Sequence, residues 1–435
     1  MGMNTTLAGI AMTLLVLTLT LPAQASDHTL SVFGNANEDD TVNMQDVTYT
    51  ELIILEYRDK TELSDAKYDG KINMQDVTQI ELVILGKEKE ITVLDFDDRV
   101  VTVPQPIERL ITRAPDDARL TIALGAGDKI VASEAAVKSC LCPTNWGEYT
   151  EGCMDCYFEI LDGRMPDLPE TSTRHTIDYE LMASLYPDVI FTTGDADLFE
   201  SKVGCPCVTF GYGVNEYDYD GLYGRIELIG YVLGTRDEAD DLIDFIESKV
   251  DMVRSVTDDI DESDKPTVYF APRGCSKGFY DPKEGRDFTR TVSSYEPLDI
   301  AGGINVAGDE PTGNLNVGIE QIIDWDPAYM FVACSNAEDK GAIEMIMDSD
   351  DLKTVGAVQN DKVCNCFYPY CRGRPPDRSL FNMMYMAKLL HPDEFEDLDL
   401  EAEGNEIFKA FLGVDDVFTP YADWLEWPRE YLDTQ

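Results

Sequence analysis

Two stretches decide the fold: Asp178-Tyr-Glu-Leu-Met-Ala-Ser-Leu-Tyr-Pro-Asp-Val-Ile-Phe191 and Asn316-Val-Gly-Ile-Glu-Gln-Ile-Ile-Asp-Trp-Asp-Pro-Ala-Tyr-Met-Phe331. In each, a short helix with a glutamate on its exposed face, Glu180 or Glu320, stops before a proline, and an apolar strand begins. Proline has no N–H to continue a helix and pushes the residue before it out of the helical region. An apolar β-rich run without alternation suits a strand buried on both faces of a parallel sheet. The unit occurs once in each half of the chain, which predicts two α/β lobes. Outward from these stretches the texture is the same. ITVLDFDDRVVTVP (91–104) reads as a hairpin, RLITRAP (109–115) and KVGCPCVTFG (202–211) as strands, and DDARLTIALGAGDKIVAS (116–133) as helix then strand. PTVYFAP (266–272), INVAG (304–308) and NDKVCNCFYP (360–369) continue the alternation, and Ser379 to Leu412 reads as helical. Between the halves, residues 222–258 carry one long helical pattern, expected as a rigid bridge. The division expected is 26–90 as a small all-α module, 91–221 as the first lobe, 222–258 as linking helix and 259–435 as the second lobe.

The chain has 435 residues, 34 Lys plus Arg against 84 Asp plus Glu, and a formal net charge of −50. That balance argues against a nucleic-acid binder, which needs clustered cations for phosphates, and against docking on anionic lipid. The 44 % hydrophobic content is ordinary for a globular chain. Residues 26–90 hold 6 basic and 15 acidic residues, so most of the charge lies elsewhere. It is a general surface trait. An apolar run from Leu7 to Leu21 followed by Ala23-Gln24-Ala25 reads as a secretory signal peptide over residues 1–25. No Lys or Arg precedes it, so an uncleaved segment serving as an anchor is the alternative. The expected location is extracytoplasmic: secreted, periplasmic or at the cell surface.

A 12-residue segment repeats at a spacing of 30: Asn35-Ala-Asn-Glu-Asp-Asp-Thr-Val-Asn-Met-Gln-Asp46 and Asp65-Ala-Lys-Tyr-Asp-Gly-Lys-Ile-Asn-Met-Gln-Asp76, each running into an apolar helix. A hard cation such as calcium takes six to eight oxygens, which such a loop offers from positions 1, 3, 5, 7, 9 and 12. Loop one presents Asn35, Asn37, Asp39, the Thr41 carbonyl, Asn43 and Asp46. Loop two presents Asp65, Asp69, the Lys71 carbonyl, Asn73 and Asp76. The pattern resembles a type I dockerin over residues 31–88. Two positions depart from it: Asp40 stands where loop two has the turn glycine Gly70, and Lys67 stands at a ligand position. On charge, loop one is expected to bind calcium better. The resemblance implies calcium as cofactor and a cohesin-like partner facing the Met44-Gln45 and Met74-Gln75 pairs.

From 91 to 415 the chain resembles the periplasmic binding proteins of ABC importers for iron–siderophore complexes, haem and cobalamin. The two opening stretches carry that likeness, together with Glu296-Pro-Leu-Asp-Ile-Ala-Gly-Gly-Ile-Asn-Val306 and Met386-Ala-Lys-Leu-Leu-His-Pro-Asp-Glu-Phe395. It implies the two-lobed class III fold and an ABC permease and ATPase as partners. It also implies a small-molecule metal chelate held between the lobes, and docking of the permease at Glu180 and Glu320. No chemistry is expected of the chain. It has no G-x-S-x-G, H-E-x-x-H or P-loop, and only 3 His.

Ligands in open α/β lobes bind beyond the carboxyl ends of the strands. The arginines expected there are Arg113, Arg273, Arg372, Arg374 and Arg378, whose forks suit carboxylates and anionic metal complexes. His175, Phe279 and Tyr368 are further ligand candidates, with Phe270, Tyr280, Phe367 and Tyr370 as aromatic surfaces. Of 11 Cys, Cys140, Cys142, Cys153, Cys156, Cys275, Cys364, Cys366 and Cys371 are expected at loops or strand ends. Three readings stand open for them: disulfides of an exported protein, thiolate ligands to iron–sulfur or a soft metal, or small buried hydrophobes. Cys205 and Cys334 suit the last. The function expected is capture and delivery of an iron complex. The alternatives are a thiolate-lined metal carrier and, from another class, a dockerin-tethered exported enzyme or cell-surface scaffold.

Overall fold

The computed structural model describes residues 29–134, 168–172, 176–210, 218–275, 288–311, 313–334, 341–367, 369 and 374–424. The chain begins with α1 (Met44–Ile54) and α2 (Met74–Ile84), and the 30-residue repeat is reproduced bond by bond. Asn43 and Asn73 cap the two helices, each accepting the N–H two residues on. Asp46 accepts the N–H of Asn37 at 3.1 Å and of Asn43 at 2.8 Å; Asp76 accepts those of Lys67 and Asn73 at the same distances. These reciprocal caps satisfy N–H groups that a helix start leaves open.

A hairpin follows, β1 (Glu90–Leu94) against β2 (Val100–Pro104). The first lobe contains β3 (Leu110–Thr112), α3 (Pro115–Ala123), β4 (Ile130–Glu134), β5 (Glu170–Ser172), α4 (Tyr179–Ser184), β6 (Val189–Thr192), α5 (Ala196–Val203) and β7 (Cys207–Thr209). Its five strands are parallel in the order β5-β4-β3-β6-β7. Then come α6 (Tyr219–Leu233) and α7 (Arg236–Thr257). The second lobe holds β8 (Thr267–Cys275), β9 (Arg290–Val292), α8 (Glu296–Ile300), β10 (Ile304–Asn305), β11 (Asn314–Asn316), α9 (Ile319–Trp325), β12 (Tyr329–Cys334), α10 (Gly341–Met347), α11 (Gly356–Gln359) and β13 (Val363–Phe367). Four of its strands form a parallel sheet ordered β10-β8-β12-β13, and β9 pairs antiparallel with β11. Helices α12 (Pro376–Leu390), α13 (Leu400–Leu412) and α14 (Phe418–Trp424) close the chain.

Both decisive stretches fold as the proline rule requires, α4 into β6 and α9 into β12. Alternate residues of a strand face opposite sides. Ile111, Ile190 and Cys207 enter a core beneath α4 and α5, while Leu110, Val189 and Phe191 face the main core on the other side. Tyr269, Met330 and Val332 do the same in the second lobe.

The bridge differs from the single helix expected over 222–258. It breaks at Gly234, whose φ of +71° ends α6 with its N–H on the Gly230 carbonyl. The left-handed region costs glycine nothing. Gly230 is needed too, because a Cβ there would lie 2.6 Å from the Ala239 Cβ. The apolar periodicity continues across the break and hides it in the sequence. Helix α6 packs on β1 and α3 of the first lobe; α7 packs on α8, α12 and α13.

The N-terminal helices share the main core with this bridge. Val42, Val77, Ile80 and Val83 belong to the same apolar cluster as Val232 and Leu233. The Arg236 guanidinium donates to the Val83 carbonyl and to Glu88, and lies over the Tyr231 ring at 4.4 Å. Tyr231 Oη accepts the Val42 N–H at 3.1 Å, and Gln105 Nε2 donates to the Val232 carbonyl at 2.7 Å. Glu88 is 8 % exposed. Removing one member of a buried pair leaves an uncompensated charge. Arg236→Ala should therefore lower the unfolding free energy by about 3 kcal/mol in urea titration, and Glu88→Gln added to it should recover part of the loss.

Candidate functional site

Each sheet reverses its winding direction once. In the first lobe the chain runs β3 to β4 to β5 on one side of β3, then returns to place β6 and β7 on the other. In the second, β10 lies on one side of β8, and β12 and β13 on the other. A crevice opens where helices diverge at such a point, beyond the carboxyl end of the first strand. Arg113 directly follows β3, and Arg273 lies in the last turn of chain of β8. Thus an arginine stands at each switch point.

Arg113 is fixed by its surroundings. Its N–H donates to the Phe191 carbonyl at 2.9 Å, continuing the ladder between β3 and β6. Its guanidinium lies over the Phe199 ring at 4.2 Å, with Nη1 3.2 Å from Thr192 Oγ1 and Nη2 3.9 Å from a Glu134 oxygen. The Nε is buried with no hydrogen-bond partner among the described residues. Burial holds its pKa below the usual guanidinium value, and the Glu134 carboxylate opposes that shift. Glu134 and Thr192 end β4 and β6, so three strand ends converge on this one cation.

Asp116, in the first turn of α3, ties the lobes together. Its two oxygens accept the backbone N–H of Arg374 at 2.8 and 3.0 Å, and Arg119 Nη1 donates to it at 2.9 Å. Helix α13 returns to pack on α3 beside this bond. Asp117, the next residue, is 1 % exposed, and its Oδ2 has no hydrogen-bond partner among the described residues. Desolvation pushes its pKa up to about 7, with Asp116 adding to the rise and Arg225 and Arg113 opposing it. The Asp116-Asp117 pair reads in sequence as an ordinary acidic helix start, so the only signal for it was the preceding Arg113-Ala-Pro.

The other expected positions divide. Arg374 reaches the interlobe tie. Arg378 lies in the first turn of α12 and is 1 % exposed, so it faces the protein interior instead of the cleft. Cys364 and Cys366 are core residues on β13, opposite Phe331 and Ala333 on β12. Burial pushes the Cys364 thiol up to about 12, which disfavours the thiolate a metal ligand needs. Phe270 and Phe367, expected as ligand surfaces, are fully buried in the same core. The backbone register sets Cys275 beside Cys334 at the ends of β8 and β12. His175, Phe279, Tyr280, Tyr368, Tyr370, Arg372, Cys140, Cys142, Cys153, Cys156 and Cys371 lie outside the described residues. A cavity of about 580 Å³ lined by Glu170, Ser172, Asp178 and Glu180 opens at the β5–α4 edge. Glu180 and Glu320 are both exposed in the first turns of α4 and α9. Among the described residues no three His, Cys, Asp or Glu converge closely enough to hold a metal ion.

A family model described as periplasmic binding protein matches residues 110–367, more than half of the chain. The chain belongs to the periplasmic binding protein family. The molybdate-binding protein MolA of Haemophilus influenzae is 22 % identical over 338 residues, covering 72 % of this chain and 88 % of MolA. The structure of MolA bound to molybdate matches at a TM-score of 0.58 and 20 % identity, over 74 % of this chain and 98 % of that one. A periplasmic solute-binding protein from Veillonella parvula gives 0.56 at 18 % identity, over 77 % and 96 %. Helicobacter pylori CeuE with bound Ni(II) gives 0.53 at 15 %, over 76 % and 99 %. These structures share the fold. Proteins of the family are extracytoplasmic binding proteins that work with an ABC permease and ATPase and are not enzymes. No helix among the described residues is long and apolar enough to cross a membrane.

The buried Asp117 has a pH signature. A carboxyl that titrates near 3.8 when unfolded and near 7 when folded keeps its proton longer in the native state. Stability should then fall as pH rises from about 4 to 7 and level off above, by an amount on the order of 4 kcal/mol. Urea unfolding at pH 5 and pH 8 measures the change, and Asp117→Asn should remove that part of it.

Proposed function

We propose that this binding protein captures an anionic metal-bearing solute, an oxyanion of the molybdate type or an anionic iron chelate, and presents it to an ABC permease. What supports the reading is the pair of switch-point arginines. In a chain of net charge −50, a cation at the carboxyl end of the founding strand of each lobe stands against the general field. The field itself repels anions, so recognition rests on short-range donors that an anion meets only inside the cleft. The unpartnered Arg113 Nε is such a donor. MolA, a relative in fold and sequence, takes molybdate, and that supports the oxyanion arm. The iron arm rests on the siderophore-type motifs of the chain. Glu180 and Glu320 are proposed as the permease-docking residues, one exposed carboxylate on the same element of each lobe.

Isothermal titration with molybdate, tungstate and ferric citrate tests this. At least one should bind with micromolar or tighter affinity, and Arg113→Ala should weaken it at least about 30-fold, as expected when one partner of a desolvated charge pair is lost. Binding of cobalamin or haem with no response to any of the three anions would refute the anionic reading.

The repeat also supports a calcium role, which we propose by its likeness to a dockerin. Loop two fits a hard cation better than charge alone suggested. Burial pushes the pKa of Asp76 up, and Asp65 and Asp69 add a repulsion that a bound cation would relieve. In loop one, the Asn35 amide is buried and donates inward to the Leu30 and Asp39 carbonyls. Its Oδ1 still faces the loop, accepting the Asp39 N–H at 3.2 Å as Asp65 does for Asp69 in loop two. Asn35, Asn37, Asp39, the Thr41 carbonyl, Asn43 and Asp46 are therefore the oxygens proposed. Millimolar calcium should raise the thermal midpoint, EDTA should reverse it, and Asp65→Ala should abolish most of the response. The same titration read by pull-down with a cohesin would show whether the exposed Met44 and Met74 face such a partner.

A further inference from the structure

The motif Gly204-Cys205-Pro206-Cys207 plays no part in the cleft. It lies at the amino end of β7, the edge away from the strand ends where ligands bind. Cys207 is fully buried under α5, and Cys205 is half-buried beside it. The Cys207 Sγ lies 3.8 Å from the Cys205 carbonyl oxygen. A hydrogen bond to the Cys205 sulfur, and then burial, push the Cys207 thiol far above the usual range. It therefore keeps its proton, and Cys205 is the sulfur an incoming reagent reaches. The surroundings hold the pair in place. The Cys207 N–H donates to Glu200 at 3.1 Å, and its carbonyl accepts from Arg99 Nη1 at 3.1 Å. Arg99 in turn pairs with Asp95, Asp197 and Glu200.

We propose that Cys205 and Cys207 are a dithiol that closes into a disulfide across Pro206 in the exported protein. Two residues of an extended chain span about 6.6 Å between Cα atoms, the upper edge of what a disulfide bridges. Cys205 lies outside the strand, in a bend that shortens the span. The oxidant is a disulfide of an extracytoplasmic exchange protein or a small-molecule disulfide, of the kind such compartments supply. The Cys205 thiolate attacks it, forming a mixed disulfide and releasing one thiolate. With Cys205 bound in the mixed disulfide, the charge that held the Cys207 proton is gone. Cys207 gives that proton to the thiolate released in the first exchange, attacks the Cys205 sulfur and releases the second thiol. Two electrons pass to the partner disulfide, and one bond forms within the chain. The ring fastens the start of β7 where the Arg99 network joins the hairpin to α5.

The inference is independent of which solute the cleft takes. The test is mass mapping of the exported full-length protein, quenched in acid and alkylated before any reduction. Trypsin releases residues 203–225, a peptide with no cysteine besides these two. The expected peptide carries no alkyl group, is lighter than its reduced form by two hydrogens, and gains two labels after reduction. Cys205→Ser should leave Cys207 open to alkylation in denaturant, and should remove any reductant-dependent loss of thermal stability that the other cysteines do not cause. Recovery of the peptide with both thiols labelled, or with either joined to another cysteine, would overturn the proposal. Since the unmutated protein alone decides it, a variant that fails to fold changes nothing.

Discussion

A parallel sheet puts the carboxyl ends of all its strands on one edge, and it reverses its winding there only once. The proposed solute site depends on that constraint being met twice. Each lobe starts at a central strand, β3 or β8, winds outward, and returns to the other side. The gap left where the helices diverge is filled at β3 by Arg113, pinned by the ring of Phe199 and the ends of β4 and β6. A guanidinium so placed has lost most of its water. The adjacent carboxylate is 3.9 Å away, too distant for a strong charge-assisted bond. That state is what the proposed anion site rests on: among the described residues, Glu134 opposes the Arg113 charge only from this distance.

The second constraint is on motion. The main core runs without interruption from Leu30 to Ala422, across the N-terminal helices, both faces of the bridge and the terminal helices. Helix α13 lies on α3, and Asp116 holds the Arg374 backbone across the cleft. Large opening of the lobes would have to break these contacts together. The architecture favours small closure around a solute, with the bend at Gly234 acting as a fixed corner and α7 as the common wall.

The architecture was legible in the sequence because it depends on strong local rules. Helix, proline and apolar strand come in fixed order at Glu180 and Glu320, and the repeat around Asp46 and Asp76 returns as identical caps. The bridge was only half legible. Gly234 and the acidic turn Asp237-Glu238 mark a helix end and a new start, but apolar spacing that continues through a break carries no sign of it. The position proposed for the site was legible where an arginine follows a strand, as at Arg113. It was not legible where burial decides. Arg378, Cys364 and Phe367 share loops or strand ends with the positions proposed for the cleft, and only the three-dimensional path of α12 and β13 buries them. Asp117 was missed for the opposite reason: an acidic first turn is what any helix start prefers, so its desolvation leaves no mark in the sequence.

The surface charge has a different origin from the site chemistry. Acidic residues are spread along the whole chain, in the N-terminal repeat segment and in both lobes, while Arg99, Arg236 and Lys249 are organised cations. Arg99 joins hairpin, α5 and β7, Arg236 welds the N-terminal helices to the bridge, and Lys249 spans α7 to Glu403 and Glu406 on α13. Arg99 and Lys249 each meet two or more carboxylates, and Arg236 holds Glu88 in a close pair. Arg113 differs from these three in that the carboxylate it meets, Glu134, lies at a loose 3.9 Å. By that criterion Arg113 is set apart from the structural arginines by its surroundings and not by its sequence neighbours. The argument for an anionic solute therefore rests on a comparison internal to this one chain.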